Sequence, residues 1–482
     1  MNLQGRPPAA AVRRLAPLED LPDELFLMVT GCLGPGSLAL LDRVSRECHR
    51  IVENELYKLV NVLSSESANT DGGSVDNLYL ANFLRTMLES PHLCEQVRSA
   101  SIVISSVNIP EAIGLPYRAT IPTPTVAPTY DVALPESQLA RILLSSMSEL
   151  KSLKLDTWNI VDNVYDEDGG LNVDYKDALY KIFEGKPILR QNPASVLGFS
   201  NLSILYWVSK SLPYSIVCLP TLDHLYISSG CDIKVPQQPV VIPKITKLSI
   251  FRNTTIFFEA DEEHAAEIDD GVMDLLECCT SLTHFAIHLE EEDYPGTEAL
   301  GEHASGEEVE GDLDDLVSRV HEVRPELESF VFRVAKQRGN DFLDYVTLEE
   351  TPLFSPFDGL KHIRIPCDQL LTSYNGTEPP QSIAKLLPWS LENLEIDFPS
   401  QEIFGFLDKL LAAHVEDVPN LSKLTVYLGS PASERGVMHS RGNGRTSQLN
   451  RWRSKPVVER FWADDVELRF TDMEDEDPWR VC

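Results

Sequence analysis

The side chains from which catalysis or metal binding would have to be built are the vicinal pair Cys278-Cys279, eleven histidines and 75 acidic residues in a chain of 482. Two adjacent cysteines just ahead of an apolar strand pattern read as buried thiols before they read as a metal or redox centre, because free cysteine behaves as a small apolar side chain. His264 and the other ten histidines show no ligand spacing. Gly442-x-Gly444 lacks the third glycine and the preceding strand of a dinucleotide-binding turn. A calcium loop aligned on Gly169 would put Val164 at its first position and Tyr175 at its twelfth, where carboxylates are needed. The phosphate-loop, zinc-protease and nucleophile-elbow patterns do not occur. The residues point away from an enzyme, a metal or a cofactor and toward recognition by surfaces.

Composition bounds that recognition. The length suggests two or three domains, and 43% hydrophobic residues are enough for a sizeable core. A net charge of −34 argues against nucleic acid as a partner, since a phosphate binder needs a basic face. The one basic cluster runs from Arg435 to Lys455, and its Gly, Ser and Asn content reads as a mobile solvated loop. No apolar run approaches the roughly 18 residues of a membrane helix, and Met1 to Leu15 holds no apolar signal core. Nine scattered cysteines without a C-x-x-C pair fit free thiols in a reducing compartment. The expected location is the cytosol, the nucleus or both.

Elements that could present a surface begin at Leu21-Pro22-Asp23-Glu24-Leu25. Pro22 suits the first helical turn, and Asp23 and Glu24 complement the helix dipole. Leu25, Met28, Val29, Cys32 and Leu33 then recur as one apolar stripe at helical period. Gly34-Pro35-Gly36 stops this helix, and Ser37 is expected to cap a second carrying Leu38, Leu41 and Val44. A third follows with Cys48, Ile51, Val52, Leu56 and Tyr57. Three helices of this size make a minimal core and must lean on something else.

Leu21-Pro22-x-Glu24-Leu25, Leu33, Leu38, Leu41, Val44-Ser45-Arg46 and Leu56-Tyr57 resemble the F-box over about Leu18 to Val60. Cys48-His49 stands where that family usually has an aromatic residue. The resemblance implies docking on the Skp adaptor, and through it cullin, in an SCF-type cullin–RING ubiquitin ligase. It also implies that Leu21, Pro22, Leu25, Leu38, Leu41 and Val44 bear on that docking. The plain alternative is a helical cap with ordinary core leucines.

The rest of the chain carries a recurring Leu-x-x-Leu-x-Leu pattern. It occurs at Leu150/Leu153/Leu155, Leu222/Leu225/Ile227, Ile245/Leu248/Ile250, Leu282/Phe285/Ile287, Leu327/Phe330/Phe332, Leu360/Ile363/Ile365, Leu391/Leu394/Ile396 and Leu421/Leu424/Val426, with a weaker copy at Val97/Ala100/Ile102. Such spacing at intervals of about 20–30 residues is the leucine-rich-repeat pattern. Segments between copies, such as Ile403 to Leu411, read as helix. The last two apolar residues of each copy face one side of a short strand, and the residue between them faces the other. Stacked units would line a concave surface with Tyr226, Ser249, Ala286, Val331, Arg364, Glu395 and Thr425. Of these, Tyr226, Ser249, Arg364, Glu395 and Thr425 are the candidate target contacts. Ordinary α/β domains with leucine-rich strands are the alternative.

Irregular intervals locate insertions. Pro110 to Pro135 reads as an extended proline-rich loop, and Asp162 to Tyr175, Glu259 to Asp270 and Glu290 to Asp315 as acidic loops, solvated or able to recruit a basic partner. The expected organisation is a flexible N-terminus at 1–17, the F-box-like unit at 18–60, a linker at 61–79, an irregular leucine-rich-repeat domain at 80–430, a mobile basic loop at 431–455, and a C-terminal strand with an acidic tail at 456–482. The fold class is mixed α+β and α/β: three small helices, then an irregular solenoid of parallel strands and helices.

Leu84-Arg85-Thr86-Met87-Leu88, Pro91-His92-Leu93 and Val97-Arg98, followed by the repeats, resemble F-box/leucine-rich-repeat proteins abundant in filamentous fungi. That resemblance implies a non-catalytic substrate receptor whose repeat domain holds a target protein. Fold alone does not name the target. A scaffold that binds the adaptor without forming a ligase is the other reading.

Overall fold

The computed structural model describes residues 21–62, 79–104, 108–109, 134–157, 199–209, 211–228, 231–233, 235, 243–253, 258–261, 264–268, 270–290, 309–311, 313–334, 346–348, 353–371, 383–397, 399, 403–428, 461 and 466–472. Three helices come first: α1 (Asp23–Thr30), α2 (Pro35–Asp42) and α3 (Arg46–Leu56). Pro22 stands at the N-cap of α1, one position earlier than its expected place, with Asp23 and Glu24 filling the first turn. Ser37 does not cap α2. Gly34 holds that position and Pro35 already occupies the first turn, because its fixed φ suits a helix start. Ser45 caps α3, its hydroxyl accepting from the Cys48 N–H at 3.1 Å.

The rest is built on one twelve-stranded sheet: β1 (Leu59–Val62), β2 (Ser99–Val103), β3 (Ser152–Asp156), β4 (Ile204–Val208), β5 (His224–Ile227), β6 (Lys247–Asn253), β7 (His284–Glu290), β8 (Ser329–Val334), β9 (His362–Pro366), β10 (Asn393–Asp397), β11 (Lys423–Leu428) and β12 (Glu467–Asp472). The strands lie in chain order and every neighbouring pair is parallel. Parallel neighbours cannot be joined by a hairpin, so each step needs a crossover. The longer helical crossovers are α4 (Tyr79–Glu89), α5 (Glu136–Ser146), α6 (Asp270–Cys278), α7 (Leu313–Val323) and α8 (Ile403–Asp417). The result is an open α/β sheet compatible with a solenoid-like arrangement.

Each motif performs two local jobs. Its first apolar residue is buried and closes a turn, as where the Leu391 N–H donates to Pro388 O at 3.2 Å and the Leu421 N–H to Val418 O at 3.1 Å. Its second and third apolar residues point from the strand into one core shared with α4–α8. Leu394 and Ile396 from β10, Leu424 and Val426 from β11, and Phe406 and Leu410 from α8 belong to that core. The three N-terminal helices have a separate small core of Phe26, Leu38, Cys48, Ile51 and Val52, with Leu33, Leu41 and Leu56 packed against it.

Three strands lie outside the nine copies read from the sequence. β4 carries Leu205 and Trp207 behind Leu202, a copy that the tryptophan disguises. β1 crosses the expected boundary at 60/61, so the sheet begins at Leu59 rather than at residue 80. β12 is the expected C-terminal strand, and it extends this same sheet. Acidic stretches are also less loop-like than expected. Phe258–Asp261 pairs antiparallel with His264–Ile268, Val309–Gly311 pairs with Val346–Leu348, and α7 starts at Leu313. Residues 1–17 and 431–455, and most of the proline-rich segment and the acidic tail, lie outside the described residues.

Phe330 of β8 is fully buried, edge-on to Phe285 of β7 and 5.5 Å between ring centroids from Phe354. Phe330→Ala is expected to cost about 3–5 kcal/mol in urea unfolding, from lost burial plus the cavity left behind. A loss below about 1 kcal/mol would show that the cluster repacks around the gap.

Candidate binding surfaces

The first candidate surface is the outside of the three N-terminal helices. Helix α1 turns Phe26 and Thr30 inward, not the stripe expected from the sequence. Thr30 is satisfied there by donating from Oγ1 to Leu27 O at 3.0 Å. The inward residues sit four apart and fix the helix rotation. Leu25 is therefore left 48% exposed, and Met28 69%, with Leu27 and Val29 at 40% each. Leu40 and Val44 add exposures of 68% and 67%. Six of the nine large apolar residues found exposed among the described residues thus fall between positions 25 and 44. Exposed large apolar side chains concentrated in one small unit point to an interaction site. On the same unit the Arg50 guanidinium lies 2.7 Å from Asp23 and 2.6 Å from Glu47.

The sequence-derived docking residues separate on this surface. Pro22, Leu25 and Val44 are exposed, and Leu21 is half-buried. Leu41 is partly buried against the small core, and Leu38 lies inside it. Leu38 thus supports the surface from behind and offers no contact itself. Met28 and Leu40, the most exposed of the group, were not singled out from the sequence as docking residues; the hydrophobicity of both was visible there, but the helix rotation was not.

The second candidate surface is the face of the sheet opposite the helices. Strand register carries Tyr226, Ser249, Ala286, Val331, Arg364, Glu395 and Thr425 into one row across β5–β11, because each pairs directly with the next. The row has two halves. Tyr226, Ser249, Ala286 and Val331 are half-exposed. Arg364, Glu395 and Thr425 are buried.

The buried half is an ionic network. The Arg364 Nε–H approaches both Asp397 oxygens, at 3.1 and 3.2 Å, its Nη1 lies 3.7 Å from Glu395, and its guanidinium stacks 4.0 Å from the Tyr427 ring centroid. Asp397 is fully buried, and burial pushes its carboxyl up, against the pull of Arg364 and Arg333. Burial acts on Glu395 in the same sense, but the His362 ring 3.5 Å away, the Asn393 amide donating at 3.0 Å and the charge of Arg364 outweigh it and hold the carboxyl at about 2. The Tyr427 hydroxyl also donates to Glu395, at 3.1 Å. Next to the network, His288 stacks on Phe251 with ring centroids 4.5 Å apart. Burial first, then Arg333 and Arg364, hold its imidazole down at about 3.

Among the described residues no three His, Cys, Asp or Glu side chains stand together as a metal site, and no helix is long and apolar enough to cross a membrane. Cys279 is buried, its thiol pushed up to about 12 chiefly by desolvation, so it is a poor nucleophile. All eight described cysteines are free thiols.

His288 makes stability depend on pH in a definite direction. A histidine held below its ordinary 6.5 binds a proton less readily when folded. Its contribution is complete above pH 6.5 and is lost as pH falls toward 3. At about 1.4 kcal/mol per unit, the loss from pH 6.5 to 5 is on the order of 2 kcal/mol. His288→Gln is expected to remove that part of the slope in urea titrations at the two pH values. Equal losses in both proteins would take His288 out of the account.

No protein-family model matches this chain, and no curated protein matches it.

Proposed function

We propose that this chain is the substrate-recognition subunit of an SCF-type cullin–RING ubiquitin ligase. The three N-terminal helices dock on the Skp adaptor through Pro22, Leu25, Met28, Leu40 and Val44. The sheet holds a target protein on the face opposite its helices. No bond is made or broken by this chain. It raises the effective concentration of target lysines near the ubiquitin carrier, a contribution of proximity alone. The working compartment is the cytosol or the nucleus.

The observation that carries this reading is the set of exposed apolar side chains Leu25, Met28, Leu40 and Val44 on a unit whose core has five buried residues. That placement coincides with the segment resembling the F-box. A helical cap serving only the sheet would turn its leucines toward the sheet, whereas these face solvent.

Leu25→Asp together with Val44→Asp tests it. Both side chains are exposed, so the double variant is expected to keep its fold by circular dichroism. Burying two carboxylates against an apolar partner face costs several kcal/mol. Co-expression with the Skp adaptor and gel filtration is expected to give a stoichiometric complex for the parent chain and none for the variant. A variant that still co-elutes with the adaptor would overturn the docking surface. An adaptor complex that never captures cullin would make the chain a scaffold instead.

A further inference from the structure

We propose that the sheet face opposite the helices receives an extended, carboxylate-rich segment of the target protein across β4–β9, with one carboxylate seated on Lys247 between His224 and His284. The proposal rests on the reading of this face as the target-holding surface and names the chemistry it takes.

The charge pattern of the face is the reverse of the chain's. Acidic residues outnumber Lys and Arg by 75 to 41 overall. In the three rows of this face that start at Ile204, Tyr206 and Val208, β4–β9 carry Lys247, Arg333, Arg364 and four of the eleven histidines, and neither Asp nor Glu; Asp397 and Glu395 of β10 match Arg333 and Arg364, which leaves Lys247 as the cation of these rows without a carboxylate. Register sets His224, Lys247 and His284 side by side, at about 4.8 Å per strand. All three side chains are half-exposed. The Lys247 ammonium acts on both imidazoles, adding to the burial that lowers their proton affinity. No carboxylate pairs with Lys247 among the described residues. Two carboxylates at nearby strand entries are already held: Asp223 accepts from the Thr246 hydroxyl and faces His224 at 3.1 Å, and Glu328 faces Lys361 at 3.3 Å.

The shape also suits a peptide. Directly beside this trio in the next row are Ser249 and Ala286, small side chains that leave a shallow floor. The floor is closed at one end by Tyr226, which stacks on Tyr206 at 4.2 Å, and bordered on the far side by Phe251 and His288. An extended chain repeats side chains on one face about every 6.6 Å, so one carboxylate can reach the Lys247 ammonium, with the two neutral imidazoles beside it as hydrogen-bond partners, while the backbone lies over the small residues. The net negative charge of the whole chain does not forbid this, because charges beyond about 8 Å are screened at physiological salt. Lysine supplies a point charge suited to a single carboxylate.

Fluorescence anisotropy of the full chain in complex with the Skp adaptor tests it, with dye-labelled octaglutamate as probe. Octalysine, a phosphoserine peptide without Asp or Glu, and oligothymidylate are the competing probes. Binding of octaglutamate is expected, weakening about tenfold in Lys247→Glu and in the milder Lys247→Gln, as for loss of one charge-assisted contact. Lys385→Glu, the same charge change at an exposed lysine away from this face, is expected to leave it unchanged. Octaglutamate that fails to bind, or binds equally to the Lys247 variants, overturns the proposal. Preference for octalysine, the phosphopeptide or oligothymidylate overturns it too, and names the partner chemistry that replaces it. Adaptor co-elution is read in the same samples, so loss of the adaptor complex reports failure of the ligase reading and not of this one.

Discussion

One backbone carbonyl accepting two N–H groups, at ten of the eleven strand steps, is the interaction on which the rest of the structure depends. Lys58 O takes the amides of Arg98 and Ser99, Arg98 O those of Lys151 and Ser152, Lys151 O those of Ser203 and Ile204, and the chain of pairs continues to Glu392 O with Ser422 and Lys423. A carbonyl has two lone pairs and can satisfy both donors. The connection is indifferent to what lies between: the step from Ser203 to Asp223 spans 20 residues and that from Arg98 to Lys151 spans 53. Register is therefore reset at every strand entry, and insertions of any length are carried outside the sheet. Every side-chain row described above follows from that reset.

Given the register, period-2 alternation divides the labour. One face is a continuous apolar core; the other can hold charge and polarity wherever neighbours satisfy it. The Arg364–Asp397–Glu395 network shows the cost of doing so. Taking these ions out of water opposes their mutual attraction, so the pair adds little to stability while making loss of either partner expensive. Its effect is positional: Arg364 is pinned by Asp397 on the next strand and by the Tyr427 ring. At the outer edge, Glu467 and Arg469 on β12 pair with each other at 2.7 Å, and exposed charge on an edge strand discourages further strand addition.

Much of this was legible in the sequence because its signals are local. Eight Leu-x-x-Leu-x-Leu copies and a weaker ninth gave nine strands and the side each residue faces, since alternation does not depend on tertiary context. Trp207 hid β4, because the pattern sought an aliphatic residue where the core had room for an indole. Tyr57 just before β1 and Val60 within it were absorbed into the helical motif that precedes them. In the docking set, Leu38 was placed outside and Met28 left unassigned as a contact. Helical period gives a stripe but not its rotation, which α1 fixes by packing Phe26 and Thr30 against α3. The ion network depends on register between strands some 30 residues apart, and no local pattern encodes it.

The N-terminal unit obeys a different constraint from the sheet. Its three helices total 27 residues and bury five side chains among themselves, well below what a free-standing core requires. Its ties to the sheet are slight: Tyr57 packs against the main core, α3 runs directly into β1, and Glu53 lies 3.6 Å from His92. Helix α1 is lightly supported, with two of its eight side chains buried. Isolated helices of that length are marginal in water, so α1 depends on the packing of Phe26 into the small core shared with α2 and α3. The sheet, with one core running through all twelve strands, needs no such help, which is why the two surfaces can be altered independently.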